Sequence, residues 1–412
     1  MRILIYTINY SPEIIGIAKY NNEFIEYLLS KGHEVRIITA PPYYPQWRIW
    51  KKYSSYKYKY ESRNDGFLKI FRCPIFIPKK PFGVLRILYL LSFFISSFPI
   101  MLLQIFWRPK IIFLTEPPLI CAPIALIIGF VSFSKTILHI HDFEIDAAFN
   151  LNQIKGVFLK KILLFLERLI MNCFSKVTTI SINMQKKLIN KGVKKSKTYI
   201  FKNWVDTSLV NPNKISSSNI IQLKKKYKIP KNNLIVFYSG NMGKKQGIDE
   251  LINLINDCRK SNIFFILAGD GPEKRKLILQ RKNLSNLLLL PLQSQDSYLN
   301  LLFLSDVLLL PQIKEIGDLV LPSKLITMIS SGRPIIATAD PNTEIANILN
   351  DCGVVVKPGD RVSIFKALIF LKNSKEVRNN LGNKARLEAI NHYDKKKILN
   401  DFLSKVISDE KN

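Results

Sequence analysis

A short segment in the second half of the chain combines residue types that could bind a phosphate group. Residues 234–238 form an apolar run typical of a buried strand, and it is followed by a glycine-rich stretch, 240–243, and by Lys244 and Lys245. Apolar residues then recur at helical spacing from Ile248, which predicts a helix. Glycines let the backbone approach an anion, N–H groups at a helix start point towards it, and a lysine adds full charge. The same pattern also suits an ordinary turn between a strand and a helix.

Composition and charge restrict the class of protein. The 412-residue chain is 47% hydrophobic and is long enough for two domains with substantial cores. Its net charge of +30 favours polyanionic surroundings such as nucleic acid, anionic lipid or phosphorylated substrates. We find no nucleic-acid-binding motif and expect no nucleic-acid partner. Scattered cysteines without a CxxC pair predict reduced thiols in the cytoplasm, and the apolar start at residues 2–6 resembles a core strand rather than a signal peptide.

Strands and helices alternate along both halves of the chain, which is typical of parallel sheets wrapped by helices. We predict a first domain over 1–205 and a second over 206–391, with a C-terminal helix at about 392–412 that packs back onto the first. Two doubly wound domains side by side would place ligands at the carboxyl ends of the strands, in the cleft between them. The predicted strands are 2–6, 34–39, 68–71, 111–114, 135–139, 176–180, 234–238, 263–268, 287–290, 307–310, 335–338 and 354–356.

Residues 87–107 form an uncharged stretch that is long enough to span a bilayer. Pro99 interrupts the stretch, serines dilute it, and a true span would separate the two parts of one domain. We therefore expect a helix that docks on the membrane surface, although a buried helix and a span remain alternatives. The aromatic residues expected to face lipid are Phe93, Phe94 and Phe98, and the basic residues expected at the headgroups are Lys79, Lys80, Arg86 and Arg108.

Several short motifs occur together in this chain. They are the loop ending at Gly16, residues 31–35, His141-Asp142, and residues 240–247, 268–273, 321–325 and 332–334. In this combination nearly the whole chain resembles glycosyltransferase family 4. Segments 39–47 and 243–247 are similar to a bacterial branch that includes colanic-acid and O-antigen fucosyl- or N-acetylfucosaminyltransferases. The resemblance implies an α/β GT-B fold, with two Rossmann-like doubly wound domains facing a cleft, and a retaining hexosyltransferase.

The resemblance also implies a nucleotide-sugar donor, which we expect to be UDP-linked, bound by the second domain. Lys245 is the first choice to neutralise the diphosphate leaving group, with Lys244 and the Gly243 N–H beside it. Gly16 would bring backbone to the phosphates from the first domain, although a simple loop glycine fits this position as well. The expected donor-binding residues are Gly16, Gly240, Asn241, Gly243, Lys244, Lys245, Ser323 and Lys324.

The chain departs from the family pattern at two places. Many members carry two glutamates eight positions apart, and Leu319 and Thr327 stand there instead. Asn241 stands where an arginine is common, so a lysine must carry the positive charge at the pyrophosphate. We expect Ser323 and Lys324 to contact phosphate or ribose, although a helix N-cap would also explain Ser323.

His141-Asp142 matches the sugar-contacting position of the family, and we expect both residues to act with Lys245 in catalysis. A neutral histidine can hydrogen-bond a sugar hydroxyl or order the acceptor, and a structural histidine is the alternative. Glu144 and Asp146 could orient the acceptor hydroxyl or stabilise a helix start. The other expected acceptor-binding residues, Tyr43 and Tyr44, lie in a proline-rich aromatic loop.

The sequence has no Asp-x-Asp pair, the usual carboxylate site for a divalent cation at the diphosphate, so we expect no metal cofactor. The resemblance implies transfer of a fucose-type or N-acetylfucosamine-type sugar to a saccharide on polyprenyl diphosphate, in O-antigen, capsule or exopolysaccharide biosynthesis. We therefore expect a peripheral protein on an anionic membrane surface, at the cytoplasmic face of the inner membrane. A GT-B-fold UDP-sugar epimerase and a basic, non-catalytic membrane- or nucleic-acid-binding protein are the alternatives.

Overall fold

The computed structural model describes residues 1–13, 16–79, 83–150, 156–280, 284–313 and 322–407. The chain divides into two compact units. The first contains Met1–Lys202 together with the chain end from Leu399, and the second contains Asn203–Ile398. Each unit has its own sheet, as the alternation of predicted elements indicates.

The first unit is built on an eight-stranded sheet in the order β3-β4-β2-β1-β5-β6-β7-β8. Its strands are β1 (Arg2–Tyr6), β2 (Glu34–Thr39), β3 (Lys59–Arg63), β4 (Leu68–Arg72), β5 (Ile111–Glu116), β6 (Lys135–Ile140), β7 (Lys176–Thr179) and β8 (Thr198–Ile200). Every pairing is parallel except that of the edge strand β3 with β4. Strand β3 has no signal in the sequence, because its largely exposed residues show none of the apolar alternation of a half-buried strand.

Helices cover both faces of this sheet. They are α1 (Ile17–Ser30), α2 (Val84–Trp107), α3 (Ala122–Val131), α4 (Glu144–Asn150), α5 (Val157–Cys173) and α6 (Ile182–Asn190). Helix α2 contains the whole uncharged stretch and continues through Pro99. Because a proline lacks the N–H that an interior helical position would use, Pro99 removes one hydrogen bond without ending the helix.

The second unit contains a six-stranded parallel sheet in the order β11-β10-β9-β12-β13-β14. Its strands are β9 (Leu234–Asn241), β10 (Ile263–Asp270), β11 (Leu287–Leu290), β12 (Val307–Leu310), β13 (Ile335–Thr338) and β14 (Gly353–Val356). The helices are α7 (Ser217–Lys226), α8 (Ile248–Asp257), α9 (Lys274–Gln280), α10 (Gln295–Leu304), α11 (Ser323–Ser330), α12 (Glu344–Leu349), α13 (Arg361–Asn373) and α14 (Lys375–His392). A last helix, α15 (Lys395–Phe402), contains the point where the chain returns to the first unit.

Strand order in each sheet reverses at one internal position. In the first unit the chain runs outward from β1 on one side and from β5 on the other, and in the second unit it does so from β9 and β12. Ligands of open α/β sheets bind at such reversal points, beyond the carboxyl ends of the strands. The topology therefore predicts ligand binding at the loops after β1, β5, β9 and β12.

The chain end completes the core of the first unit. Phe402 stacks on Phe201 with ring centroids 3.7 Å apart and also contacts the rings of Phe24 and Phe113. All these rings are buried. The first unit is therefore assembled from both ends of the chain.

Candidate functional site

The glycines after β9 and β10 allow two loops to run side by side at the carboxyl edge of the second sheet. Strand β9 continues through Gly240 and Asn241, which pair in register with Gly269 and Asp270. A Cβ on Gly269 would lie 1.9 Å from the Gly240 carbonyl oxygen, so only glycine fits there. Strand β9 therefore extends three residues beyond the predicted strand 234–238, because sheet pairing continues past the apolar run.

Lys324 lies directly beside Gly240. It is the second residue of α11, and its Nζ donates a hydrogen bond to the Ser239 carbonyl oxygen at 3.1 Å. The same amino group lies 4.4 Å from the centroid of the Tyr238 ring. Burial lowers the pKa of Lys324 to about 7, from an ordinary value of 10.5. Because burial disfavours the charged form of Lys324, an anion that binds beside the glycine loop would stabilise the ammonium.

The two lysines after the glycines lie in a separate short turn. A 3₁₀ helix covers Lys244–Gln246, and Gly247 then adopts a left-handed conformation before α8 begins. The Lys244 side chain is exposed, and that of Lys245 lies outside the part of the chain that the structure describes. The first turn of α8 carries Asp249 and Glu250. The predicted role of Lys245 stays a prediction.

Ser323 is the first residue of α11 rather than its N-cap. Pro322 occupies the cap position, and no side chain among the described residues makes a capping hydrogen bond to this helix. The capping explanation for Ser323 is therefore wrong, and its exposed position beside Lys324 leaves its predicted contact with phosphate or ribose open. Leu319 lies outside the described residues.

In the first unit, His139 and His141 form a buried pair at the end of β6. Their ring centroids are 4.4 Å apart, and His139 Nδ1 hydrogen-bonds the Thr178 hydroxyl at 2.9 Å. His141 also stacks on the ring of Tyr20. Burial lowers the pKa of both imidazoles, that of His141 to about 3, so both are neutral at physiological pH. Among the described residues, buried His141 Nε2 has no hydrogen-bond partner. Because buried polar atoms normally have one, this nitrogen is available to hydrogen-bond a ligand.

Buried carboxylates surround the start of α4, next to this pair. Glu144 Oε2 accepts a hydrogen bond from the Leu119 N–H at 2.9 Å, and the Glu144 N–H donates to Glu116 Oε1 at 3.2 Å. Burial raises the pKa of Glu144, and burial with the charges of Glu167 and Glu144 raises that of Glu116 further. Glu144 therefore ties α4 to the loop after β5, and its acceptor-binding role stays a prediction.

Asp146 has a structural role. Its carboxylate lies 2.5 Å from Lys191 Nζ and 3.2 Å from Lys187 Nζ, and Lys191 also binds Glu167. Burial opposes the charge of Asp146, but Lys191 lowers its pKa overall. This ion-pair cluster joins α4, α5 and α6, and it leaves Asp146 poorly placed to orient a substrate hydroxyl.

The aromatic loop is held by a carboxylate that the sequence analysis overlooked. Glu13 Oε1 accepts hydrogen bonds from the N–H groups of Tyr43 and Tyr44, both at 2.7 Å, and Glu13 Oε2 accepts one from Asn9 at 2.9 Å. The hydroxyl of Tyr43 is bound to Asn9 and Tyr89, and its side chain is buried. Tyr43 thus packs inside the first unit, and its predicted contact with the acceptor stays a prediction.

Tyr44, predicted to bind the acceptor, and Asp142, predicted to act in catalysis, are both half-buried. Burial, with the charges of Glu13 and Asp142, raises the pKa of Tyr44, which places Asp142 near this ring. Gly16 caps α1 with a positive φ of 63°, and no atom of the described residues lies within 4 Å of the position that a Cβ would take. The predicted role of Gly16 in phosphate binding stays a prediction.

Metal ligands do not cluster in the described part of the chain. No group of three or more histidines, cysteines, aspartates or glutamates could hold a metal ion there. The expectation of metal-independent transfer stays a prediction.

Comparisons with known proteins agree with this architecture. Residues 14–209 match the model described as Glycosyltransferase Family 4, and residues 219–388 match that of Glycosyl transferases group 1. The chain is 37% identical over 353 residues to an Escherichia coli K12 protein named as a colanic acid biosynthesis glycosyl transferase, WcaI. This similarity covers 84% of the chain and 86% of the relative.

Solved structures show the same fold at low sequence identity. The Anabaena protein Alr3699/HepE in complex with UDP-glucose matches with a TM-score of 0.69, 15% identity and coverage of 99% of this chain and 100% of that one. WaaG, described as a glycosyltransferase of lipopolysaccharide biosynthesis, matches with a TM-score of 0.65, 13% identity and coverage of 98% and 100%. Together with the two parallel-sheet units, these similarities define a glycosyltransferase with the GT-B fold. The chain belongs to glycosyltransferase family 4, which confirms the family, fold and enzyme class expected from its motifs.

Proposed function

We propose that this glycosyltransferase moves a fucose-type or N-acetylfucosamine-type sugar from a UDP-linked donor to a saccharide on polyprenyl diphosphate, in surface-polysaccharide biosynthesis. The relation to the colanic acid protein supports the pathway class, and structural neighbours solved with UDP and UDP-glucose support the nucleotide. The observation that carries the proposal is the Lys324 amino group beside Gly240, at the reversal point of the second sheet.

In the proposed reaction, the second unit stabilises the leaving group. As the bond between the sugar and the diphosphate breaks, negative charge builds on the phosphate oxygens. Lys324 in its protonated form offsets this charge, and open backbone at the glycine loop supplies further donors. Lys245 is proposed to add a second cation. These fixed charges would make a divalent cation unnecessary.

The first unit is proposed to orient the sugars. Neutral His141 would hydrogen-bond a sugar hydroxyl through Nε2, its unpartnered ring nitrogen. Glu116 and Glu144 are engaged with backbone N–H groups, so neither is assigned as the base. We assign the acceptor hydroxyl proton to an oxygen of the departing phosphate. One C–O bond then forms as the other breaks, and anomeric configuration is retained.

The test is a ligand panel followed by a transfer assay. UDP-, GDP- and dTDP-linked sugars are screened for their effect on the melting temperature, and the best donor is incubated with a short-chain polyprenyl diphosphate saccharide. We expect UDP-linked deoxysugars to stabilise the protein most, and mass spectrometry to detect acceptor extended by one sugar. Lys324→Met should abolish the stabilisation, whereas Lys366→Met, which changes an exposed lysine of α13, should preserve it. Release of an epimerised donor without transfer would contradict the proposal.

A further inference from the structure

Helix α2 exposes a largely apolar side to solvent, and its buried side combines polar residues with Phe93, Met101 and Trp107. The side chains that it buries include Tyr89, Ser97 and Gln104, each of which makes a hydrogen bond within the first unit. Ser97 pairs with Tyr6, Gln104 accepts from Arg36 at 3.2 Å, and Tyr89 pairs with Tyr43. A surface helix of a soluble protein shows the opposite distribution, with charged or polar residues facing water.

The outward face of α2 is continuous and apolar. Its side chains recur at spacings of three and four residues, so they lie along one side of the helix. Only 28% of the most apolar stretch of this helix is buried, and the helix is long and apolar enough to cross a membrane. Phe106, near its end, is 85% exposed. The exposed residues of this side are Val84, Leu88, Ile95, Pro99, Leu102 and Phe106, and Leu91 between them is half-buried.

Topology places two more helices beside α2 on the same face of the sheet. The connections β4–α2–β5, β5–α3–β6 and β6–α5–β7 all advance in the same direction across the strand order. Because such crossovers are right-handed, these helices share one face. Helix α2 contacts α3, and α3 contacts α5. The exposed side chains of α3 and its end are apolar too, since Phe130 and Phe133 are 84% and 93% exposed.

Helix α5 repeats the outward apolar pattern. Phe158, Ile162, Phe165 and Leu169 are all exposed and recur at spacings of four, three and four residues. The opposite side of the helix carries Glu167, which is buried against Lys191. Helix α5 therefore exposes an apolar stripe, and its basic residues Lys160, Lys161 and Arg168 are exposed as well.

Charge at this surface is entirely of one sign. Helices α2 and α3 contain no acidic residue, and the only one in α5 is the buried Glu167. Exposed cations lie around the apolar faces, at Arg108 and Lys110 after α2 and at Lys161 in α5. A broad apolar surface with basic residues at its rim is complementary to an anionic lipid bilayer.

We propose that the outward faces of α2, α3 and α5 form a single lipid-docking layer that lies flat on an anionic membrane. The inference rests on the proposed function in so far as a polyprenyl-linked acceptor explains why the enzyme needs the membrane. It goes further by making α5 a second principal contact, equal to α2. The hydrogen bonds from Tyr89, Ser97 and Gln104 keep α2 on its own sheet, so the layer docks and does not span.

Substitutions on α5 test this layer without altering α2. The variant Phe158→Gln/Phe165→Gln/Leu169→Gln changes exposed residues only, so folding and UDP binding should persist. Its control is Val362→Gln/Phe370→Gln/Leu387→Gln, which changes equally exposed apolar residues of the second unit. We expect the α5 variant to bind vesicles of equal parts phosphatidylglycerol and phosphatidylcholine at least about tenfold more weakly than wild type, and the control to bind normally.

Labelling the wild-type sequence, without any substitution, provides a second measurement. Cys173, at the end of α5, is exposed, whereas the other four cysteines are buried. An environment-sensitive dye on Cys173 should shift its emission to shorter wavelength when these vesicles are added. High salt should weaken binding only partly, and alkaline carbonate should release the bound protein.

Several outcomes would overturn the proposal. Wild type that stays free of vesicles, or a dye at Cys173 that does not respond, would refute the layer. An α5 variant with normal vesicle binding would remove α5 from it, and protein retained through carbonate treatment would indicate a span. Loss of self-association in the α5 variant, without a change in vesicle binding, would make the surface a protein interface. Vesicle binding without any nucleotide-sugar binding would instead contradict the proposed function and leave the layer standing.

Discussion

The pKa of Lys324 leads to a specific prediction about donor binding. In the free protein, burial holds this pKa at about 7, so the amino group loses its charge just above neutral pH. A diphosphate beside it would favour the charged form and raise the pKa again. Binding must then be accompanied by proton uptake above about pH 7, and affinity must fall as pH rises. From about pH 7 to about pH 8.5 the protonated fraction drops from about one half to about 3%, so UDP should bind about 15-fold more weakly.

Calorimetry with UDP in buffers of different ionisation enthalpy measures both the affinity and the proton uptake. The terminal phosphate of UDP, with a pKa of about 6, is already ionised across this range and adds little. Lys324→Arg keeps a charge at all these pH values, so its affinity should vary little with pH. Lys324→Met should bind weakly at every pH, and Lys366→Met should follow wild type. An affinity that is constant between about pH 7 and about pH 8.5 in wild type would refute the assignment of Lys324 to the diphosphate.

Four further results are expected. Lys245→Ala should raise the activation free energy of transfer by roughly 3–4 kcal/mol, and so lower turnover, while the protein stays folded. Activity within about threefold of wild type would remove Lys245 from the site. Gly269→Ala should destabilise the second unit by about 2 kcal/mol or more in urea unfolding, because its Cβ would overlap the Gly240 carbonyl. EDTA should leave transfer unchanged; loss of activity restored by Mg²⁺ would contradict this. His141→Phe should lower turnover about tenfold or more with UDP affinity unchanged, and equal activity would make His141 purely structural.

Much of the fold could be predicted because strand runs and glycine turns are local signals. The apolar run 234–238 and the glycines after it identify a strand and its loop in the absence of any structure. The position of Lys324 beside Gly240 could not be predicted in this way, since the two residues are distant in sequence and meet only through strand order. The role of Glu13 could not be predicted for the same reason, because its partners Tyr43 and Tyr44 belong to another loop.

Helix α2 shows a different limit of sequence reasoning. Periodicity identifies the two sides of a helix, and the usual assumption that apolar residues lie inside then decides which side is buried. Phe93, expected to face lipid, is fully buried in the first unit, Phe94 is half-buried, and Phe98 is exposed. The choice of side depended on polar partners such as Tyr6 and Arg36, which only the folded sheet brings to this helix.

The aromatic contacts of Phe402 have a consequence for how the protein is made. The first unit lacks part of its core until residue 402 has been synthesised. While the second unit is being translated, the core of the first unit therefore lacks the ring that packs against Phe24, Phe113 and Phe201. A chain that stops short of α15 would leave these rings without the side chain that covers them, at a cost of about 3–5 kcal/mol for the missing aromatic alone. The stability of the first unit therefore depends on a residue that is translated after the whole of the second unit.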